Sequence, residues 1–156
     1  MQNRVRIRWM KSVSLALRLV LLGTSSAAGE PVEGSTVTAS VVNLRSQKGN
    51  VVCRLYRSEA DFPRSPSGNV RKKVTVVPGR STRCVFENVA PGTYAMTFIH
   101  DENANGKLDT NFIGIPSEGF GTSRNAPVRF GPPDFDDAKF RHTGGVTRLE
   151  ARTKYW

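Results

Sequence analysis

The chain has 156 residues, with 23 Lys and Arg against 13 Asp and Glu, for a formal net charge of +10 at pH 7. That length accommodates one domain with a real core and is too short for two ordinary ones. The two cysteines and two histidines fall in no C-x-x-C or H-x-x-x-H pairing, which sets aside a zinc site built from Cys53, Cys84, His100 and His142.

The first 28 residues read as a secretory signal peptide. Arg4, Arg6, Arg8 and Lys11 precede an apolar run from Val13 to Leu22, and the small residues Ser26-Ala27-Ala28 place cleavage after Ala28. Arg18 interrupts the apolar run and Met10-Lys11 offers a second translation start, yet either start keeps the export signal. A run of ten residues containing an arginine is too short to cross a hydrocarbon layer of roughly 30 Å. The mature chain, 29–156, is therefore expected to form one domain without a transmembrane segment, in the periplasm or outside the cell. Removing the signal takes away five basic and no acidic residues, so the net charge falls from +10 to +5. The remaining basic clusters, Arg71-Lys72-Lys73 and Arg148, Arg152 and Lys154, suit a solvated strand face or an anionic envelope component. Nucleic acid is not an expected partner in that compartment.

Beyond residue 28 the chain shows short apolar or alternating runs split by Gly, Pro, Asn and Ser, with no long window of helical period. The runs expected to form strands are Ser35 to Val42, Asn50 to Tyr56, Val70 to Val77, Ser81 to Phe86, Gly92 to His100, Ala126 to Phe130 and Val146 to Tyr155. About seven strands predict an all-β, single antiparallel β-sandwich of the immunoglobulin or prealbumin kind. Cys53 and Cys84 lie inside two of these runs; in an oxidising compartment they are expected to pair, stabilising the fold by about 3 to 4 kcal/mol. Two buried free thiols are the alternative.

The segment Glu59 to Asn69, with Asp61, Pro63, Pro66 and Gly68, reads as a loop. Pro78-Gly79 predicts a tight hairpin between the runs on either side, because Pro presets φ and Gly tolerates positive φ. Asp134, Asp136 and Asp137 are expected at the start of a short helical turn, where carboxylates help satisfy free N–H groups. In the last run Leu149, Ala151 and Tyr155 share one face while Arg148, Glu150, Arg152 and Lys154 share the other, as a half-buried strand requires.

The chemistry concentrates after Phe98-Ile99-His100, where Asp101-Glu102-Asn103-Ala104-Asn105-Gly106-Lys107-Leu108-Asp109 matches the leading positions of the calcium loop D-x-[DN]-x-[DN]-G. Alternate residues of a tight loop can turn hard oxygens inward, and Gly106 permits the sharp bend. Asp101, Asn103, Asn105, the Lys107 carbonyl and Asp109 are the candidate ligands. Position 12 is Phe112 instead of a bidentate Glu, and a strand rather than a helix precedes the loop, so it is not an EF-hand. Glu118 is the nearest carboxylate able to complete the set. With two Asn in place of Asp, calcium affinity is expected to be weak, at about 10⁻⁴ to 10⁻³ M. The competing reading is an Asx-rich turn, in which Asn and Asp side chains bond their own backbone.

Pro91-Gly92-Thr93-Tyr94-Ala95, the stretch His100 to Asp109, Gly114-Ile115-Pro116-Ser117-Glu118-Gly119-Phe120-Gly121, and Phe130-Gly131-Pro132-Pro133 with Phe135-Asp136-Asp137-Ala138 together resemble the bacterial family DUF2141. The resemblance spans roughly Thr36 to Tyr155 and implies an exported protein, with no activity attached. The Pro-Gly-Thr-Tyr turn entering a strand is also similar to prealbumin-like and carboxypeptidase-regulatory sandwich modules, an analogy of fold only.

A binding or structural module of the cell envelope is thus the expected function, with no catalytic residues. The alternative is a hydrolase or lyase in which His100, Asp101 and Glu118 converge with Ser117 or Ser123 as nucleophile; no G-x-S-x-G elbow supports it. Capture of a small hydrophobic ligand between the sheets has no sequence feature in its favour, since a sandwich of this size fills its core.

Overall fold

The computed structural model describes residues 30–65, 69–128 and 131–156. The signal-peptide reading, on residues 1–28, lies outside them. The strands are β1 (Thr36–Val42), β2 (Asn50–Tyr56), β3 (Asn69–Val76), β4 (Ser81–Glu87), β5 (Gly92–Asp101), β6 (Gly119–Thr122), β7 (Phe140–His142) and β8 (Val146–Arg152), with a four-residue helix α1 (Phe135–Ala138) between β6 and β7. The order β4-β1-β8 makes one sheet and β3-β2-β5-β6 the other, with β7 paired to the start of β5. The fold is an all-β sandwich, and its pairings are antiparallel apart from β1 with β8, which run parallel.

Side-chain alternation explains the layers. In β1, Val37, Ala39 and Val41 are wholly buried while Thr36, Thr38, Ser40 and Val42 are half-buried, the period of two that puts one face on a core. In β2 the alternation is masked, since both faces are covered: Val51, Cys53 and Leu55 face the opposite sheet, and Val52 and Tyr56 are buried on the far side. Between the sheets lie Val37, Val41, Leu44, Leu55, Met96 and Phe98. Through this core the Cys53–Cys84 disulfide joins β2 of one sheet to β4 of the other, with Cα atoms 6.4 Å apart. A second cluster, Tyr56, Phe62, Ala95, Ala126, Phe135 and Ala138, sits on the outer face of the larger sheet, where Phe62 meets Tyr56 and Phe135 edge-to-face with ring centroids 5.5 and 5.7 Å apart.

Four expectations are corrected. The Pro78-Gly79 hairpin does not form: β3 pairs with β2 and β4 with β1, so the segment after Val76 carries the chain from one sheet to the other. A tight hairpin would leave β4 in the sheet of β3, whereas pairing with all of Thr36–Val42 sets Cys84 and Phe86 into the core. Residues 126–128 of the run Ala126 to Phe130 are not strand, because the 3₁₀ turn Ser123–Asn125 redirects the chain, with Arg124 and Asn125 at φ of 59° and 53°; Arg129 and Phe130 lie outside the described residues. The short strands β6 and β7 were not expected, and β8 ends at Arg152. Beyond it Thr153 donates through its N–H to the Val42 carbonyl at 3.0 Å, and Lys154 bridges Phe120 of β6. At α1, Asp134 occupies the N-cap position in extended backbone but makes no side-chain cap bond; Asp136 instead pairs with Lys139 at 2.8 Å.

The two sheets meet at the β6 edge because of its glycines. A Cβ on Gly119 would lie 2.4 Å from the Tyr155 ring, and one on Gly121 would lie 2.6 Å from the Phe98 ring and 2.8 Å from the Arg152 carbonyl oxygen. Only glycine admits so close an approach.

Candidate functional site

β5 delivers His100 and Asp101, fully buried, to the loop that the sequence singled out. Asp101 Oδ1 accepts the Asn105 N–H at 3.0 Å and Oδ2 accepts the Gly106 N–H at 2.7 Å. Asn103 Oδ1 accepts the Asn105 N–H at 3.1 Å, and Asn105 Oδ1 accepts the Lys107 N–H at 2.8 Å. These are successive Asx turns, with Gly106 at φ of +80° supplying the left-handed bend. Asp109 closes the loop: its carboxylate accepts the Asn103 side-chain amide at 2.6 Å and the Asn105 amide at 3.0 Å.

Glu118 folds back onto the loop and is 5% exposed. Its Oε1 accepts the Glu102 N–H at 2.7 Å and its Oε2 the Asp109 N–H at 3.1 Å, so one carboxylate clamps both ends of the loop. Of the candidate metal ligands, Asp101 and Glu118 are thus turned onto backbone amides, Asp109 receives Asn103 and Asn105, and Lys107 lies on the exposed side. Among the described residues no group of three or more His, Cys, Asp or Glu side chains is arranged to hold a metal. A cation at this loop would compete with the two asparagine amides for Asp109.

A second brace stands beside it. Arg45 Nε donates to both Glu102 carboxylate oxygens at 3.2 and 3.1 Å, Arg45 Nη2 also pairs with Glu102 and donates to the Ser117 carbonyl at 3.0 Å, and Ser46 donates to Glu102 at 2.6 Å. The Arg45 guanidinium, and then the Ser46 hydroxyl, hold the Glu102 carboxyl well below its ordinary range, at about 2, against the opposing effect of burial. His100 is locked by its neighbours: Nε2–H donates to the Lys48 carbonyl at 3.0 Å, and Nδ1 accepts the Tyr155 hydroxyl at 2.7 Å. The Lys48 carbonyl can only accept, which places the ring proton on Nε2. The Tyr155 hydroxyl accepts the Arg45 N–H at 3.0 Å, and burial pushes its pKa up.

The two serines of the alternative catalytic set lie in different surroundings. Ser123, fully buried, bonds the Met96 N–H and the Ala138 carbonyl, while Ser117 is exposed. The second histidine, His142, is equally structural: its Nε2 lies 2.6 Å from Ser35 Oγ and its Nδ1 2.8 Å from Thr147 Oγ1.

On the other side of the loop wall lies a cavity of about 750 Å³. Its floor is the outer face of the larger sheet, with Arg54 and Tyr56 from β2, Thr97 and Ile99 from β5, and Phe120 and Thr122 from β6. Gly106, Lys107, Leu108, Thr110 and Gly114-Ile115-Pro116 form one wall; Pro63, Arg64, Val128, Pro132, Pro133 and Trp156 supply the rest. Sequence reasoning missed this site because its walls come from five separated segments. The one local signal was Arg54, a charge within the otherwise apolar run Val51-Val52-Cys53-Arg54-Leu55-Tyr56. The cavity lies outside the core between the sheets.

The profile of the family described as uncharacterized protein conserved in bacteria, DUF2141, matches residues 39–150. No curated protein and no solved structure matches the chain.

Proposed function

The chain belongs to the DUF2141 family, which carries no assigned activity, and from the geometry of the loop and cavity we propose that it is an exported, non-catalytic binding module of the cell envelope. One observation carries the reading: the loop braced by Asp101 and Glu118 forms a wall of the cavity. Two carboxylates holding four backbone N–H groups pre-order that wall, so a ligand meeting it costs little further conformational entropy. His100, Asp101 and Glu118 are each committed to fixed neutral or backbone partners, a poor arrangement for proton transfer to a substrate. The Cys53–Cys84 disulfide suits an oxidising compartment, and no helix among the described residues is long and apolar enough to cross a membrane.

Thermal denaturation of the protein with decanoate, decyl phosphate and decanol, each below its micellar concentration, tests the reading. A saturable rise in Tm with at least one probe, lost on filling the cavity with Thr97→Trp, is expected. No rise with any of the three sinks it, and ester hydrolysis abolished by His100→Asn would restore the enzymatic alternative.

Weak calcium binding belongs to the same proposal. Asn103 and Asn105 already converge on Asp109, and rotating their amides would turn oxygens toward an ion there. Calorimetry should then give a Kd of about 10⁻⁴ to 10⁻³ M, abolished by Asp109→Ala. Absence of heat at several times that concentration removes calcium from the reading and leaves the cavity standing.

A further inference from the structure

We propose that the cavity takes an amphipathic anion, an apolar body ending in a carboxylate or phosphate, with the Arg54 guanidinium as its anchor. This rests on the reading of the cavity as a binding site and adds the chemistry of what it binds.

Arg54 projects from the outer face of β2, in register with Thr97 of β5, which is in turn opposite Thr122 of β6. It heads a polar row across an otherwise apolar floor. Its Nη2 donates to the Gly106 carbonyl at 3.2 Å, but its Nε is shielded from solvent and has no acceptor among the described residues. None of the ion pairs among those residues includes Arg54. On its other side the register sets Lys72 of β3 directly opposite, and like charges facing each other across strands repel. Arg64 and Lys107 also line the cavity, whereas no Asp or Glu among the described residues does.

A half-buried guanidinium whose shielded Nε–H has no acceptor, among further cations, is a costly arrangement for a cavity floor. An oxyanion resolves it by accepting from the planar fork and cancelling charge, and carboxylate and phosphate both match that fork. The remaining lining explains the rest of the ligand. Tyr56, Ile99, Leu108, Phe120 and Trp156 present apolar and aromatic surface, and about 750 Å³ lies within the range that encloses a small organic ligand. A bare inorganic anion would leave that surface unmatched, and a neutral hydrocarbon would leave Arg54 unanswered.

Calorimetric titration of the full chain with decanoate, decyl phosphate and decanol decides the matter. The two anions should bind at least about tenfold more tightly than the alcohol, as a charge-assisted hydrogen bond implies. Arg54→Met should erase that preference while decanol affinity stays within about twofold, and Arg54→Lys should retain part of it as a point charge. Whichever anion binds more tightly identifies the head group as carboxylate or phosphate. Because the comparison of probes needs no variant, it survives any folding defect of Arg54→Met. Decanol binding as tightly as the anions would overturn the anionic assignment while leaving the binding module intact; no probe binding at all would overturn both.

Discussion

Glu118, a buried carboxylate, accepts two backbone N–H groups from residues 102 and 109 and so replaces the intrahairpin bonds that an irregular loop lacks. Hydrogen bonds to a charged acceptor contribute about 1.5 to 3 kcal/mol each. Glu118→Ala is therefore expected to destabilise the protein by about 2 to 4 kcal/mol, with hydrogen exchange of the Glu102 and Asp109 amides accelerated beyond that of β1; unchanged protection at those amides would refute the clamp. Glu102 makes a separate, pH-dependent contribution. Its folded pKa of about 2 lies below the ordinary 4.5, so the unfolded chain binds the proton more readily. The stabilisation is then fully present above about pH 4.5 and fades as pH falls towards 2. With Arg45 nearly half exposed, screening limits it to about 1 kcal/mol. Denaturant melts of Glu102→Gln should differ from the parent by that amount at pH 7 and converge near pH 2; a difference that persists at pH 2 would contradict the linkage.

Among the elements, β6 was the least visible in the sequence and is the most demanding sterically. Gly119-Phe120-Gly121 has too few residues and too little apolar bulk to announce a strand, yet its glycines let Phe98 and the chain from Arg152 to Tyr155 press against it. Gly121→Ala is expected to cost about 1 to 3 kcal/mol by overpacking and to weaken the Phe120–Lys154 bridge, detected as faster exchange of those two amides. Stability within a few tenths of a kcal/mol of the parent would mean that Phe98 yields more easily than its packed setting suggests. The Pro78-Gly79 segment teaches the opposite lesson. The chain only bends there, with Gly79 outside the left-handed region, and turn residues do not specify which neighbour the next strand will choose; that choice belongs to the apolar face of β1, which β4 covers with Cys84 and Phe86.

For the molecule as a whole, the Cys53–Cys84 bridge links the two sheets across 31 residues of chain. Restricting the unfolded state over a loop of that length stabilises the fold by about 3 to 4 kcal/mol. Reduction, or a Cys53→Ala/Cys84→Ala pair, should lower the urea midpoint accordingly; a loss under about 1 kcal/mol would show that sheet packing alone suffices. The cavity sits on the far side of the larger sheet from this bridge.

The amino-acid order alone determined the all-β class, six of the strands, the alternating face of β8 and the polar loop from Asp101 to Asp109. Each is a local pattern: period-two burial, Asx chemistry and a glycine at a bend act within a few residues. Tertiary structure decided the rest. That Glu118 reaches back to the N–H groups of residues 102 and 109, that β4 joins β1 and not β3, and where Arg54 points depend on segments far apart in the chain that meet only after folding. The loop from Asp101 to Asp109 bonds its own backbone and forms one wall of the cavity, and that cavity is lined by residues from 54 to 156 that no linear spacing connects.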